Sequence, residues 1–138
     1  MGAARPEAED PRPSGGGQRL PRASRLHRAT EIRGLFERGK RKRTAHLDVF
    51  FAASPASRPR LGILVPKHRH TVVERNRLKR RLRELGRTGL LPALRAAERN
   101  VDVMVRARRE AYEASVAELR RELEGVMELL CSGPSSSR

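Results

Sequence analysis

The sequence predicts an α/β (α+β) domain in which three helices pack on a small sheet. Three observations lead there. Segments 46–53, 60–66 and 101–105 alternate apolar and polar residues with the period of two that a strand imposes. Segments 30–38, 72–85 and the stretch after Ser115 repeat apolar residues every three or four positions, as a half-buried helix does. The order is helix, strand, strand, helix, strand, helix, the pattern of a sheet layered with helices.

Taken in order, residues 1–21 are rich in Pro, Gly and charge, including Gly15-Gly16-Gly17, and read as a disordered extension. The folded unit is expected over 22–131, with 132–138 as a frayed tail. In 30–38, Thr30 is the expected N-cap, Ile32, Leu35 and Phe36 form one stripe, and Gly39 is the stop. The run Lys40-Arg41-Lys42-Arg43 cannot be core. In 46–53, Leu47, Val49 and Phe51 share a face and Phe50 lies on the other. Ser54–Pro59 is a turn, after which Leu61, Ile63 and Val65 alternate up to Pro66. Gly86, Gly89 and Pro92 are expected to end the helix that starts at 72. Ser115 and Glu118 form a capping box, followed by Val116, Leu119, Leu123, Val126, Met127 and Leu130 on one helical face.

Charge narrows the function. Lys and Arg number 31 against 16 Asp and Glu, a net +15. Residues 19–43 carry a net +8 and residues 67–87 a net +7, so the rest of the chain is neutral. Two basic blocks on a neutral scaffold form the footprint of a polyanion partner. No apolar run is long enough to span a bilayer, and the N-terminus has no secretory h-region. One cysteine, Cys131, forms no internal disulfide, which fits a reducing cytoplasm.

The second block is the more informative. Wound at about 100° per residue from Arg75, Leu78, Leu82 and Leu85 fall within about 60° of one another and face the sheet. Arg75, Asn76, Lys79, Arg80 and Arg83 form a continuous basic strip beside them, with Arg77 and Arg81 on the other flank. Like charges four residues apart cost helix stability. An anion bound along the strip offsets that cost, and guanidinium groups suit phosphate. Only Glu84 is at hand to balance the strip.

The run Arg75-Asn76-Arg77-Leu78-Lys79-Arg80-Arg81-Leu82-Arg83-Glu84 resembles the RNR motif of the bacterial ribonuclease P protein component. Arg60-Leu61-Gly62-Ile63-Leu64-Val65-Pro66-Lys67 resembles that family's preceding strand, Leu26 through Gly39 its first helix, and Asn100–Arg106 its later strand. The resemblance covers about residues 22–131 and implies a ribonuclease P protein-like fold. That fold has a small, mostly antiparallel sheet, the order α-β-β(-β)-α-β-α and a left-handed βαβ crossover.

The resemblance also implies function. The partners would be ribonuclease P RNA and precursor tRNA, and the reaction removal of the 5′ leader. Catalysis would belong to the RNA with its magnesium; the protein would supply no catalytic residue and bind no cofactor or metal of its own. Arg75, Asn76, Arg77, Lys79, Arg80, Arg83 and Lys67 would bind the catalytic RNA. Ile32, Phe36, Phe50 and Lys67 would line a cleft for the leader. Ile32 departs from the family in lacking a ring, Pro66 stands where Ser is usual, and His68 stands at a basic position.

Rival readings have less support. A self-sufficient nuclease has no metal-ligand spacing near its histidines, His27, His46, His68 and His70, and Asp48 has no partner carboxylate in sequence. A membrane-surface helix needs bulky apolar anchors, and the leucines of 72–85 are used for packing. A generic ribosomal-type RNA-binding module fits the composition, but it does not require the strand and Arg-Asn-Arg pairing. The oligomeric state is open at this level.

Overall fold

The computed structural model describes residues 22–26 and 28–132. The extension expected over 1–21, His27 and the tail beyond Ser132 lie outside the described residues. The elements are α1 (Ala29–Arg38), β1 (Lys40–Arg43), β2 (Leu47–Ala53), β3 (Arg60–Leu64), α2 (Val72–Leu85), α3 (Leu91–Ala96), β4 (Val101–Ala107) and α4 (Val116–Ser132).

The four strands form one sheet in the order β1-β2-β4-β3. β1 with β2 and β2 with β4 are antiparallel, whereas β3 and β4 are parallel neighbours joined through the helices between them. The extra strand is β1, ahead of the two strands expected from alternation. Its four charged residues carry no period-two signal, yet they pair Lys40 with Phe51 through Arg43 with Asp48. All four are exposed, so the expectation that they are not core holds. Lysine and arginine on an edge strand also discourage pairing with other chains.

Alternation in the strands sorts side chains to two covered faces. On the first, Leu47, Val49, Leu61, Val65, Val103 and Val105 pack with Leu78 and Leu82 of α2, Leu91 and Leu94 of α3, and Leu119, Leu123, Val126 and Leu130 of α4. On the second, Phe50 and Met104 pack with Leu26 and with Leu35 of α1. Phe51 leans on the first cluster and Phe50 belongs to the second, as the alternation predicts. A side chain at residue 62 would force its neighbours to shift, because a Cβ there would stand 2.4 Å from Met104 Cε and 3.2 Å from the Leu26 carbonyl.

Two expected boundaries are corrected. Thr30 is an exposed residue inside α1, and Arg28 occupies the N-cap position without a capping side-chain hydrogen bond. The second helix does not end at the glycines. Gly86 keeps right-handed helical angles, a π-helical turn runs over Gly86–Leu90, and α3 follows with Pro92 in its first turn. Proline suits the first turn of α3 because its fixed φ is already helical. Gly86 is explained by packing: a Cβ would lie 2.3 Å from Leu61 Cδ2. The capping box of α4 forms as expected, Ser115 Oγ accepting from Glu118 N at 3.1 Å and Glu118 Oε1 from Ser115 N at 2.8 Å. Val116, expected on the buried face of that helix, is instead exposed in its first turn.

Candidate nucleic-acid interface

Helix α2 spans 72–85 as the sequence predicts, and its start is firmer than predicted. Thr71 caps it, accepting from Glu74 N at 3.1 Å, while Glu74 Oε1 accepts from Thr71 N at 2.9 Å. The Thr-x-x-Glu spacing is legible in sequence, but the reading missed it. The box has a functional consequence. Glu74 is engaged by Thr71 and by His70, whose ring nitrogen is 3.1 Å away, and these bonds hold its carboxyl below the usual range. Glu84 is engaged by Arg87 at 2.5 Å. Both carboxylates of α2 are therefore turned to other partners.

Leu78 and Leu82 are buried and Leu85 half-buried, so the leucine stripe seats the helix as expected. The basic strip divides into two rows. Arg75, Lys79 and Arg83 are half-buried beside the stripe; Asn76, Arg77, Arg80 and Arg81 are exposed. Burial pushes the Lys79 ammonium below its ordinary value, and the charges of Arg83 and Arg75 push it the same way. A lysine with a lowered folded pKa leaves the unfolded chain holding more protons in that window. Its charge therefore destabilises the free domain, and stability rises as pH climbs toward the ordinary lysine range.

Lys79→Gln removes two like-charge pairs worth about 0.2–0.5 kcal/mol each. The free protein should then melt about 2–5 °C higher by thermal denaturation, while binding RNA more weakly. A lower melting temperature would contradict this.

Arg75 has a second duty. Its Nε donates to the Val65 carbonyl at 2.8 Å, and Tyr112 donates to the next carbonyl, Pro66, at 2.6 Å. These bonds fix the exit of β3, where exposed Lys67 follows. His70 stacks on Tyr112 with ring centroids 3.7 Å apart and planes within 5°. Between them, His68 and Arg69 take positive φ angles of 49° and 73°. Left-handed backbone at non-glycine residues is strained and is maintained only where neighbours over-determine it, as the Val65 and Pro66 carbonyl bonds and the His70 stack do here.

Three of the four expected cleft residues, Ile32, Phe36 and Phe50, gather on the second face, across the sheet from α2. Phe36 and Phe50 meet edge to face at 4.7 Å between centroids. Phe50 is only 6% exposed and forms the floor, whereas Ile32 and Phe36 are half-buried on the α1 wall. Arg106 lies over both rings, 5.6 Å from the Phe36 centroid and 5.1 Å from that of Phe50, and Arg41 lies 5.5 Å from Phe50. Cation–π contact of this kind favours a guanidinium held flat and ready for phosphate. Lys67 stands apart from these rings, on the loop at the β3 exit.

Asp48 explains how so much positive charge is held there. Read from sequence as outward and lone, it is 4% exposed and anchors Arg41 at 3.1 Å, Arg106 at 3.2 Å and Arg43 at 3.7 Å. Burial works to raise its pKa, but Arg41 and Arg106 prevail and hold it below the usual value. Its contribution to stability is thus present above the ordinary carboxylate range and lost as pH falls through the lowered value. Arg41, Arg43 and Arg106 were missed as cleft residues. Reading 40–43 as a strand would have placed Arg41 and Arg43 on the Phe50 face.

A basic helix face on one side of an α+β sheet and a guanidinium-topped aromatic cleft on the other are the features of a nucleic-acid-binding domain. The family model described as Ribonuclease P matches residues 20–130, and the chain belongs to that family. The ribonuclease P protein component of Syntrophobacter fumaroxidans is 35% identical over 111 residues, covering 80% of this chain and 91% of that protein. That of Micrococcus luteus is 39% identical over 118 residues, covering 78% and 88%. The Staphylococcus aureus RNase P protein superposes with a TM-score of 0.64 over 77% of this chain and 94% of its own, at 23% identity, which bears on the fold. The Thermotoga maritima RNase P protein superposes with a TM-score of 0.64 at 26% identity, covering 80% of this chain and 100% of its own. The chain is thus a protein subunit of the ribonuclease P endoribonuclease, a tRNA-processing ribonucleoprotein, and its family partner is ribonuclease P RNA.

Proposed function

We propose that the α2 face, with Arg75, Asn76, Arg77, Lys79, Arg80, Arg83 and nearby Lys67, docks on ribonuclease P RNA. The cleft of Ile32, Phe36 and Phe50, with Lys67 at the β3 exit beyond it, takes the single-stranded 5′ leader of precursor tRNA. In this reading the protein holds the leader while the RNA, with magnesium, performs the hydrolysis; no protein side chain enters the chemistry. The observation that carries it is the charge imbalance of α2: both of its carboxylates are engaged elsewhere, while Lys79 is held below its ordinary pKa partly by the charges beside it. Such a face is stabilised by a polyanion. Cytoplasmic location belongs to the same reading, since the substrate is made there; among the described residues no helix is long and apolar enough to cross a membrane.

Leader contact makes a specific demand. The holoenzyme should bind precursor tRNA more tightly than mature tRNA, and the RNA alone should discriminate far less. Stacking of two bases at about 1–3 kcal/mol each translates to at least tenfold. Equal discrimination with and without the protein would remove the leader from the cleft and leave a general RNA-binding subunit.

A further inference from the structure

A second basic site lies on the same side of the sheet as the cleft, at the opposite end from α2. A cavity of about 620 Å³ opens beside the first turn of α1, lined among others by Arg25, Arg28, Glu31, Arg58 and Arg60. Four guanidinium groups stand there against one carboxylate. Arg60 is already matched, since it donates to both oxygens of Asp102 at 2.9 and 2.8 Å and to Glu31 at 3.3 Å. The charge on offer to a ligand is carried by Arg28 and Arg58.

Arg58 is exposed yet held in place. Its Nε donates to the Ala23 carbonyl at 2.7 Å and its Nη1 to the Ala56 carbonyl at 3.3 Å. Carbonyl partners orient a guanidinium without neutralising it. The supporting turn is itself tied down: Ser54 N donates to the Asn100 carbonyl at 2.9 Å, Ala56 N to Ser54 Oγ at 3.2 Å, and Ser57 takes a positive φ of 59°. Arg28 stands exposed at the N-cap of α1, where its side chain makes no capping bond.

Register places this cavity in line with the cleft. Arg60 pairs with Asp102 at one end of the β3–β4 ladder and Leu64 with Arg106 at the other, with Met104 and its β2 partner Phe50 midway. The Glu31 contact to Arg60 puts the start of α1 at the first end, and Arg106 over Phe36 puts its later turns toward the second. Arg106 is also at the end where β3 exits toward Lys67 and α2. A strand leaving the α2 side would cross Arg106, run along the open edges of Phe36 and Ile32, and reach Arg28 and Arg58. Four residues of strand span about 13 Å, and eight residues of helix from Phe36 back to Arg28 span about 12 Å, so the two walls agree in length.

We propose that this arginine-lined cavity is a distal phosphate site that receives the 5′-ward nucleotides of the leader after they pass the aromatic cleft. The inference rests on the leader reading given above and extends it. The site reads phosphate and not base, because guanidinium groups outnumber every other polar side chain lining it.

The test compares two precursor tRNAs with the reconstituted holoenzyme, one with a leader of about eight nucleotides and one trimmed to about two. The readout is the ratio of their affinities. Arg28→Ala combined with Arg58→Ala should reduce that ratio about a hundredfold, because two charge-assisted hydrogen bonds to phosphate can no longer form. The salt dependence of long-leader binding should flatten by about 0.7 for each phosphate no longer neutralised. Arg28→Gln, which leaves both carbonyl bonds of Arg58 in place, should move the ratio the same way by less. An unchanged ratio overturns the distal site. A parallel loss for both substrates also overturns it, placing the cavity against the catalytic RNA or the fold. A wild-type ratio near one is a different failure, because it removes the leader from the cleft as well.

Discussion

Replacing both Arg77 and Arg80 with alanine should weaken binding to ribonuclease P RNA by about a hundredfold and leave the domain folded. Both side chains are exposed on α2 and neither is part of the packed stripe. A hydrogen bond to a charged group contributes about 1.5–3 kcal/mol, so removing two such bonds costs roughly 3 kcal/mol, or two decades in affinity. The slope of log affinity against log salt should fall by about one for each arginine that had neutralised a phosphate. Arg75→Ala is a poorer probe, because its Nε also holds the Val65 carbonyl. That variant should lose both RNA affinity and melting temperature. Filter binding or fluorescence anisotropy across a salt series reads all of this, and wild-type affinity in the Arg77/Arg80 variant would take the helix out of the interface.

The largest effect on stability is expected at Arg60. Its side chain is 9% exposed, as is that of Asp102, and it bonds to Asp102 through two parallel hydrogen bonds while reaching Glu31 on α1. Arg60→Leu leaves a buried carboxylate without its cation, a change that costs about 3–5 kcal/mol. For a domain of this size the melting temperature should fall by about 12 °C or more. Because Glu31 also loses its partner, α1 should loosen on the sheet, and the cleft formed by Ile32, Phe36 and Phe50 with it. Adding Asp102→Leu should recover much of the loss, since a packed apolar pair is often no worse than a buried ion pair. Urea or thermal unfolding of the single and double variants measures this directly. A single-variant loss below about 1 kcal/mol would show that the pair is solvated, contrary to its burial.

What could be read from sequence follows from where the information lies. The faces of helix α2 were legible because three leucines and seven basic or amide residues sort by angle alone. Phe50 was assigned to its face because period two leaves a strand residue no choice. The edge strand β1 was not legible, since four consecutive charges give no apolar phase and its pairing depends on β2. The continuation through Gly86 was hidden for a similar reason: the glycine answers a contact with Leu61, which lies far off in sequence. Asp48 looked lone because its partners Arg41 and Arg106 lie on two different neighbouring strands. The basic face was therefore visible in one helix, whereas the cleft needed three strands brought together.

The most direct test is reconstitution. The purified protein, a bacterial ribonuclease P RNA and a labelled precursor tRNA are mixed at low magnesium, and cleavage is compared with and without the protein. Cleavage at the mature 5′ end that depends on the protein is the expected result. Tight binding to the RNA without stimulated cleavage would contradict the account.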